Sequence, residues 1–136
     1  MMPMKSILLS YLLTFIVFLM IDLLWLGFIA KNLYQKYLGE FLSDTVNWTA
    51  AFVFYFIYVA GISIFAIYPA VQKDSVFNAL LMGALFGIFT YATYDLTNLA
   101  TLKGWPLPIV FIDILWGAIL SALVSLSGFY IVKWIN

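Results

Sequence analysis

Residues 76–117 read VFNALLMGALFGIFTYATYDLTNLATLKGWPLPIVFIDILWG. Residues 75–94 carry no charge, and between Pro108 and Lys133 the one charged residue is Asp113. A helix of about 20 apolar residues spans a bilayer core, and both arms of this stretch reach that length. Between them, residues 101–106 are too few for anything but a turn. Gly104 suits a helix stop, and Pro106 and Pro108 suit a helix start. The stretch therefore predicts two antiparallel membrane helices packed side by side.

Working outward, residues 45–72 form another charge-free run. Residues 6–21 form a further one that pauses at Asp22 and resumes over 23–30. Four helices are expected, at about 7–30, 47–68, 76–100 and 107–134, making one transmembrane domain over residues 1–136. Barrel strands are disfavoured because the runs lack the period-two alternation of lipid-facing and lumen-facing residues. Lys5 and the apolar residues after it resemble a signal peptide. The apolar run is too long and no small-x-small cleavage site follows, so the helix is expected to be retained. Asn47-Trp48-Thr49 matches a glycosylation sequon, but it sits at an expected helix start and carries little weight.

Composition agrees. Of 136 residues, 66% are hydrophobic, 20% aromatic and 9% charged, against about 25% charged in a soluble domain. The six acids and six bases balance, and the bases are all lysine. A neutral chain lacks the basic footprint of a nucleic-acid binder. With no Cys, His or Arg, there is no thiolate or imidazole for a metal, a nucleophile or a base, and no bidentate clamp for phosphate. No cofactor is expected. Lys5, Lys73 and Lys133 fall on one membrane face and Lys31, Lys36 and Lys103 on the other. The positive-inside rule is therefore silent, and the N-terminal amine tips the expectation toward cytoplasmic termini.

The one long connector follows the first helix. Leu33, Tyr34, Tyr37, Leu38 and Phe41 recur at helical spacing, with Asn32, Gln35, Lys36 and Glu40 opposite. That pattern predicts a short amphipathic helix lying in the membrane interface.

Three charges lie within the apolar helices: Asp22, Asp95 and Asp113. Each is roughly 8–12 Å from its helix end at 1.5 Å rise per residue. The topology brings those ends to one membrane face, so all three carboxyls occupy the same bilayer half. One Asp at a helix centre costs about 2.5–3.5 kcal/mol on the insertion scale. Each helix carries a stripe at three- and four-residue steps. On the third helix it is Gly83, Gly87, Thr90, Tyr91, Tyr94, Asp95, Asn98 and Thr101. On the fourth it is Asp113, Gly117, Ser121, Ser125 and Gly128. Asp22 and Trp25, like Asp113 and Trp116, stand one turn apart, so each indole N–H is placed to donate to its neighbouring carboxyl. No Lys or Arg shares that depth. Shared protons, a bound cation or a hydrogen-bond-donating ligand remain to compensate the acids. The expected ligand-binding residues are Asp22, Trp25, Tyr91, Tyr94, Asp95, Asn98, Asp113 and Trp116. A purely structural role, polar residues holding helices together, is the alternative for any single Asp. Tyr55, Tyr58 and Tyr68 read mainly as packing or interface aromatics.

Residues 91–101 followed by Gly104-Trp105-Pro106 resemble the characteristic motif of the family catalogued as domain of unknown function 2177. So do Asp22-x-x-Trp25-Leu26-Gly27 with Tyr34 downstream, and Asp113-x-x-Trp116-Gly117. The resemblance covers essentially the whole chain. It implies a stand-alone four-helix protein of the bacterial inner membrane and carries no reaction, substrate or cofactor.

Three functions are compatible with these residues. The first is binding or transport of a cation, proton or small polar or lipid ligand, with membrane lipids around the bundle and a homodimer in the transport case. The second is a membrane enzyme using paired carboxylates for acid–base chemistry on a lipid or isoprenoid. The third is a structural or accessory subunit.

Overall fold

A computed structural model of the chain describes residues 2–136. It is an all-α bundle with four helices long and apolar enough to cross a membrane: Met4–Ile29, Trp48–Lys73, Val76–Thr101 and Leu107–Ile135. The helical elements are α1 (Met4–Leu24), α2 (Lys31–Leu38), α3 (Trp48–Ile62), α4 (Tyr68–Lys73), α5 (Val76–Thr101) and α6 (Leu107–Ile135). Two π-helical turns, Trp25–Ile29 and Ser63–Ile67, join α1 to the connector and α3 to α4 within their spans. Large apolar side chains such as Leu8, Leu12, Ile16, Phe77, Phe89, Phe111 and Leu115 point outward. That surface suits lipid and would aggregate in water.

The fourth span is the hub. Its buried residues include Ile109, Asp113, Gly117, Leu120, Ser121, Val124, Ser125, Gly128 and Val132. Close approach of α5 to α6 depends on missing side chains. A Cβ on Gly83 would lie 2.6 Å from the Ser125 Cβ, and one on Gly87 would collide with the Gly117 carbonyl. Gly83, Gly87, Gly117, Ser121 and Ser125 of the two expected stripes thus meet in the α5–α6 seam, while Gly128 faces Ile67 and Thr14. Several buried hydroxyls along the bundle are hydrogen-bonded, whereas the Ser125 hydroxyl has no partner among the described residues. Thr14 donates to the Ser10 carbonyl at 2.7 Å, Ser63 to Val59 at 2.8 Å, and Tyr58 shares a 2.5 Å hydrogen bond with Ser121.

The second span is longer than expected. Its end was expected at about residue 68, yet the helix runs on through Pro69 to Lys73. A proline removes one N–H and crowds the preceding carbonyls. Here the π turn Ser63–Ile67 precedes it and rearranges those carbonyls, so the chain resumes as α4 with Pro69 in its first turn. Asp74 then ends the helix in the left-handed conformation (φ 48°). Ser75 caps α5 by accepting the Asn78 N–H at 3.1 Å. Asn47, the sequon residue, likewise caps α3 by accepting from Ala50 N–H at 3.1 Å.

The connector helix α2 covers most of the expected pattern but ends at Leu38, and Glu40 and Phe41 lie in the turn beyond it. Its apolar face packs on the entry to α6: Leu33, Tyr34, Tyr37 and Leu38 lie against Trp105, Ile109 and Val110. Lys31, Asn32, Gln35 and Lys36 are exposed. This docking carries Tyr34 across the end of the bundle where the three aspartates lie.

The seam yields a direct test. Gly87→Ala is expected to destabilise the bundle by about 1–3 kcal/mol, the usual cost of overpacking. Gly27→Ala, whose Cβ meets nothing within 4 Å, is expected to be neutral. Reversible unfolding in mixed micelles reads both; equal midpoints for the two variants would contradict the packing described.

Candidate functional site

The site begins with a distortion. The Ala30 N–H reaches back five residues to the Trp25 carbonyl at 2.7 Å. The helix is therefore widened over the stretch that follows Asp22. Single π turns of this kind recur at functional sites because they re-aim one side chain. Here Trp25 lies flat against Trp116, the ring centroids 4.3 Å apart and the planes 8° from parallel.

The expected pairing of each indole with its own aspartate does not occur; the partners are exchanged. The Trp25 indole donates to the Tyr34 hydroxyl at 3.0 Å, and Tyr34 donates to Asp113 Oδ1 at 2.6 Å. The Trp116 indole instead neighbours Asp22, together with the Tyr55 hydroxyl. The stack explains the exchange. With the rings stacked between the two helices, the Trp116 indole comes to Asp22 and the Trp25 indole to the hydroxyl that donates to Asp113. The Trp116 Nε1 has no hydrogen-bond partner among the described residues.

Asp95 is fully buried, and neither of its oxygens has a hydrogen-bond partner among the described residues. Its neighbours are the Asp113 carboxyl and the Trp105 indole, and the Trp105 Nε1 is also unpartnered. Asp22 and Asp113 are each 9% exposed. Among the described residues, the one ion pair is Lys133–Asp74, which is exposed. The three aspartates are therefore without a basic partner, as their depth implied.

All three line a cavity of about 590 Å³, within the range of small-molecule sites. Its walls are largely aromatic: Trp25, Trp116, Tyr34, Tyr55, Tyr58, Tyr91 and Tyr94 all line it. Leu26, Leu42 and Phe54 also line it and are exposed, so the rim is apolar. Seven of the eight expected residues line this cavity. Asn98 does not. It lies nearly a turn beyond Asp95 toward the helix end, beside Tyr94, and its carbonyl accepts the Leu102 N–H at 2.8 Å.

Four polar-tipped lining residues, Tyr34, Tyr55, Tyr58 and Thr90, escaped the expected set. Tyr34 was visible only as an apolar-face aromatic of α2, and its role depends on how α2 folds back. Tyr55 and Tyr58 read as packing, and Tyr58 does pack in the core. Thr90 lay on the polar stripe of the third helix, a signal that pointed to it. Among the described residues no three Asp, Glu, His or Cys side chains converge as metal ligands.

Residues 7–130 match the model of a family described as predicted membrane protein (DUF2177). No curated protein and no solved structure gave a match.

The Tyr34 hydroxyl is held well above the ordinary tyrosine range, first by burial and then by its hydrogen bond to Asp113. A group whose pKa is raised on folding contributes its stability in full below its unfolded pKa, about 10 for tyrosine. That contribution is lost as pH climbs beyond it. Tyr34 is thus expected to be silent in an alkaline titration: Tyr34→Phe should develop the same tyrosinate absorbance as the wild type by about pH 11. A deficit of one tyrosine would contradict the contact. The same variant is expected to speed amide exchange across residues 31–38, since α2 loses its polar tie to α6.

Proposed function

The chain belongs to the DUF2177 family of predicted membrane proteins, and from that premise we propose that it is a multi-pass protein of a cell's inner membrane that binds a small ligand within the bilayer. The observation that carries this reading is the cavity that gathers Asp22, Asp95 and Asp113 among aromatic rings. Buried carboxyls cost free energy unless something donates to them. Tyr34 supplies one donor to Asp113, and Asp95 receives none. A ligand with hydrogen-bond donors at one end satisfies these acceptors, and its apolar part suits the aromatic walls. A role as structural glue accounts less well for the same arrangement, because glue residues hydrogen-bond across helices, whereas Asp95 does not.

A second reading draws on the neighbouring Asp95 and Asp113 carboxyls. Two such groups in unlike surroundings can divide acid and base roles, which fits an isomerisation or proton transfer on a membrane-soluble substrate. Binding in the same cavity precedes either outcome, so binding is the primary proposal.

Native mass spectrometry of the protein released from its own membranes tests it. The wild type is expected to retain a discrete non-covalent mass that Asp22→Asn and Asp113→Asn lose while remaining folded by circular dichroism. The same mass distribution in all three proteins would overturn the reading.

A further inference from the structure

We propose that the ligand of this cavity is an organic ammonium ion bearing an apolar tail. The inference deepens the binding reading above and rests on it. Three features of the site select the class.

The first is charge. Asp22 and Asp113 each reach the cavity with a sliver of exposed surface, and no lysine lines it. An acid pocket without a basic partner favours a cation over a neutral or anionic guest, because a cation adds charge attraction to the hydrogen bonds that a neutral donor also offers.

The second is the wall. A bare metal ion wants a tight shell of oxygen ligands, and among the described residues no three acidic side chains converge to form one. The space is instead about 590 Å³, large enough for an organic group. The stacked pair of Trp25 and Trp116 and the rings of Tyr55 and Tyr91 bound it. Aromatic faces attract ammonium groups through the ring quadrupole, and this gains strength where water is excluded. Carboxyls and aromatic rings that line one space match an N–H-bearing ammonium at two levels: the N–H groups meet the oxygens, and the charge meets the rings.

The third is the rim. Leu26 and Phe54 belong to membrane-spanning helices, and their side chains are exposed while lining the cavity. The site therefore opens over an apolar edge, where a tail extending from the bound head stays in an apolar environment. A fully polar cation would gain nothing from that edge.

The experiment uses the full chain in lipid nanodiscs and three probes with the same tail: octylammonium, octanol and octanoate. Binding is read by tryptophan fluorescence and confirmed by titration calorimetry against empty nanodiscs. Octylammonium is expected to saturate the protein at least tenfold more tightly than either other probe. The Asp22→Asn/Asp113→Asn protein should lose that preference, whereas Lys133→Gln, distant from the cavity, should retain it. Octanol binding as tightly as octylammonium would overturn the ammonium class and leave the ligand-binding reading standing. Saturable binding of none of the three would overturn both. Octylammonium binding unchanged in the double variant would assign the signal to the bilayer and overturn the proposal. If the double variant fails to fold, Trp25→Leu serves in its place. Removing one face of the stacked pair is expected to weaken octylammonium at least fivefold and octanol little, and an equal loss for both probes would overturn the role assigned to the rings.

Discussion

Three buried carboxyl groups without a basic partner are the constraint on which this molecule turns. In a bilayer each such group is costly, and a chain with no arginine or histidine has few internal remedies. The bundle applies the ones it has. Tyrosine 34 is brought in from outside the spans to donate to Asp113, and Trp25 in turn donates to Tyr34. Asp22 is set beside an indole and a phenol. Asp95 is left among groups that do not bond it. Among the described residues, Asp95 and the Trp116 indole bring unbonded atoms to the cavity, while the Trp105 indole and the Ser125 hydroxyl are unbonded outside it.

The rest of the fold serves that cavity. The α5–α6 seam, closed through Gly83, Gly87 and Gly117, holds Asp95 and Asp113 on facing helices. The π turn after Asp22 aims Trp25 across the bundle, where Trp116 meets it face to face. The connector docks Leu38 and Tyr37 on the entry of α6, and that apolar contact fixes the position from which Tyr34 reaches inward. Stability and site are therefore linked: loosening α2 removes both a packing contact and a donor to Asp113.

Much of this was legible from residue order. Charge-free runs located the spans, and the shared depth of Asp22, Asp95 and Asp113 followed from topology. The Gly-x-x-x-Gly step on α5 and most of the small stripe on α6 marked the seam they form. The failures have physical causes. Helical spacing placed each indole beside its own aspartate, but the Trp25–Trp116 stack depends on how two helices cross, which spacing on one helix does not encode. Asn98 shares a stripe with Asp95, yet a stripe fixes direction and not depth, and Asn98 falls beyond the cavity. Tyr34 depends on a chain reversal between α1 and α2. The second span continues past Pro69 by way of the π turn Ser63–Ile67, which has no local sequence mark.

The most direct measurement is an experimental density map of the protein extracted with its native lipid, at a resolution that separates side chains. If a ligand compensates the aspartates, density fills the space between Trp25, Tyr91 and Asp113, its polar end within hydrogen-bond distance of Asp22 or Asp113 and its tail over Leu26 and Phe54. A closed cavity, with Asp95 bonded to the Trp105 indole and Asp22 to the Trp116 indole and nothing between them, would contradict it.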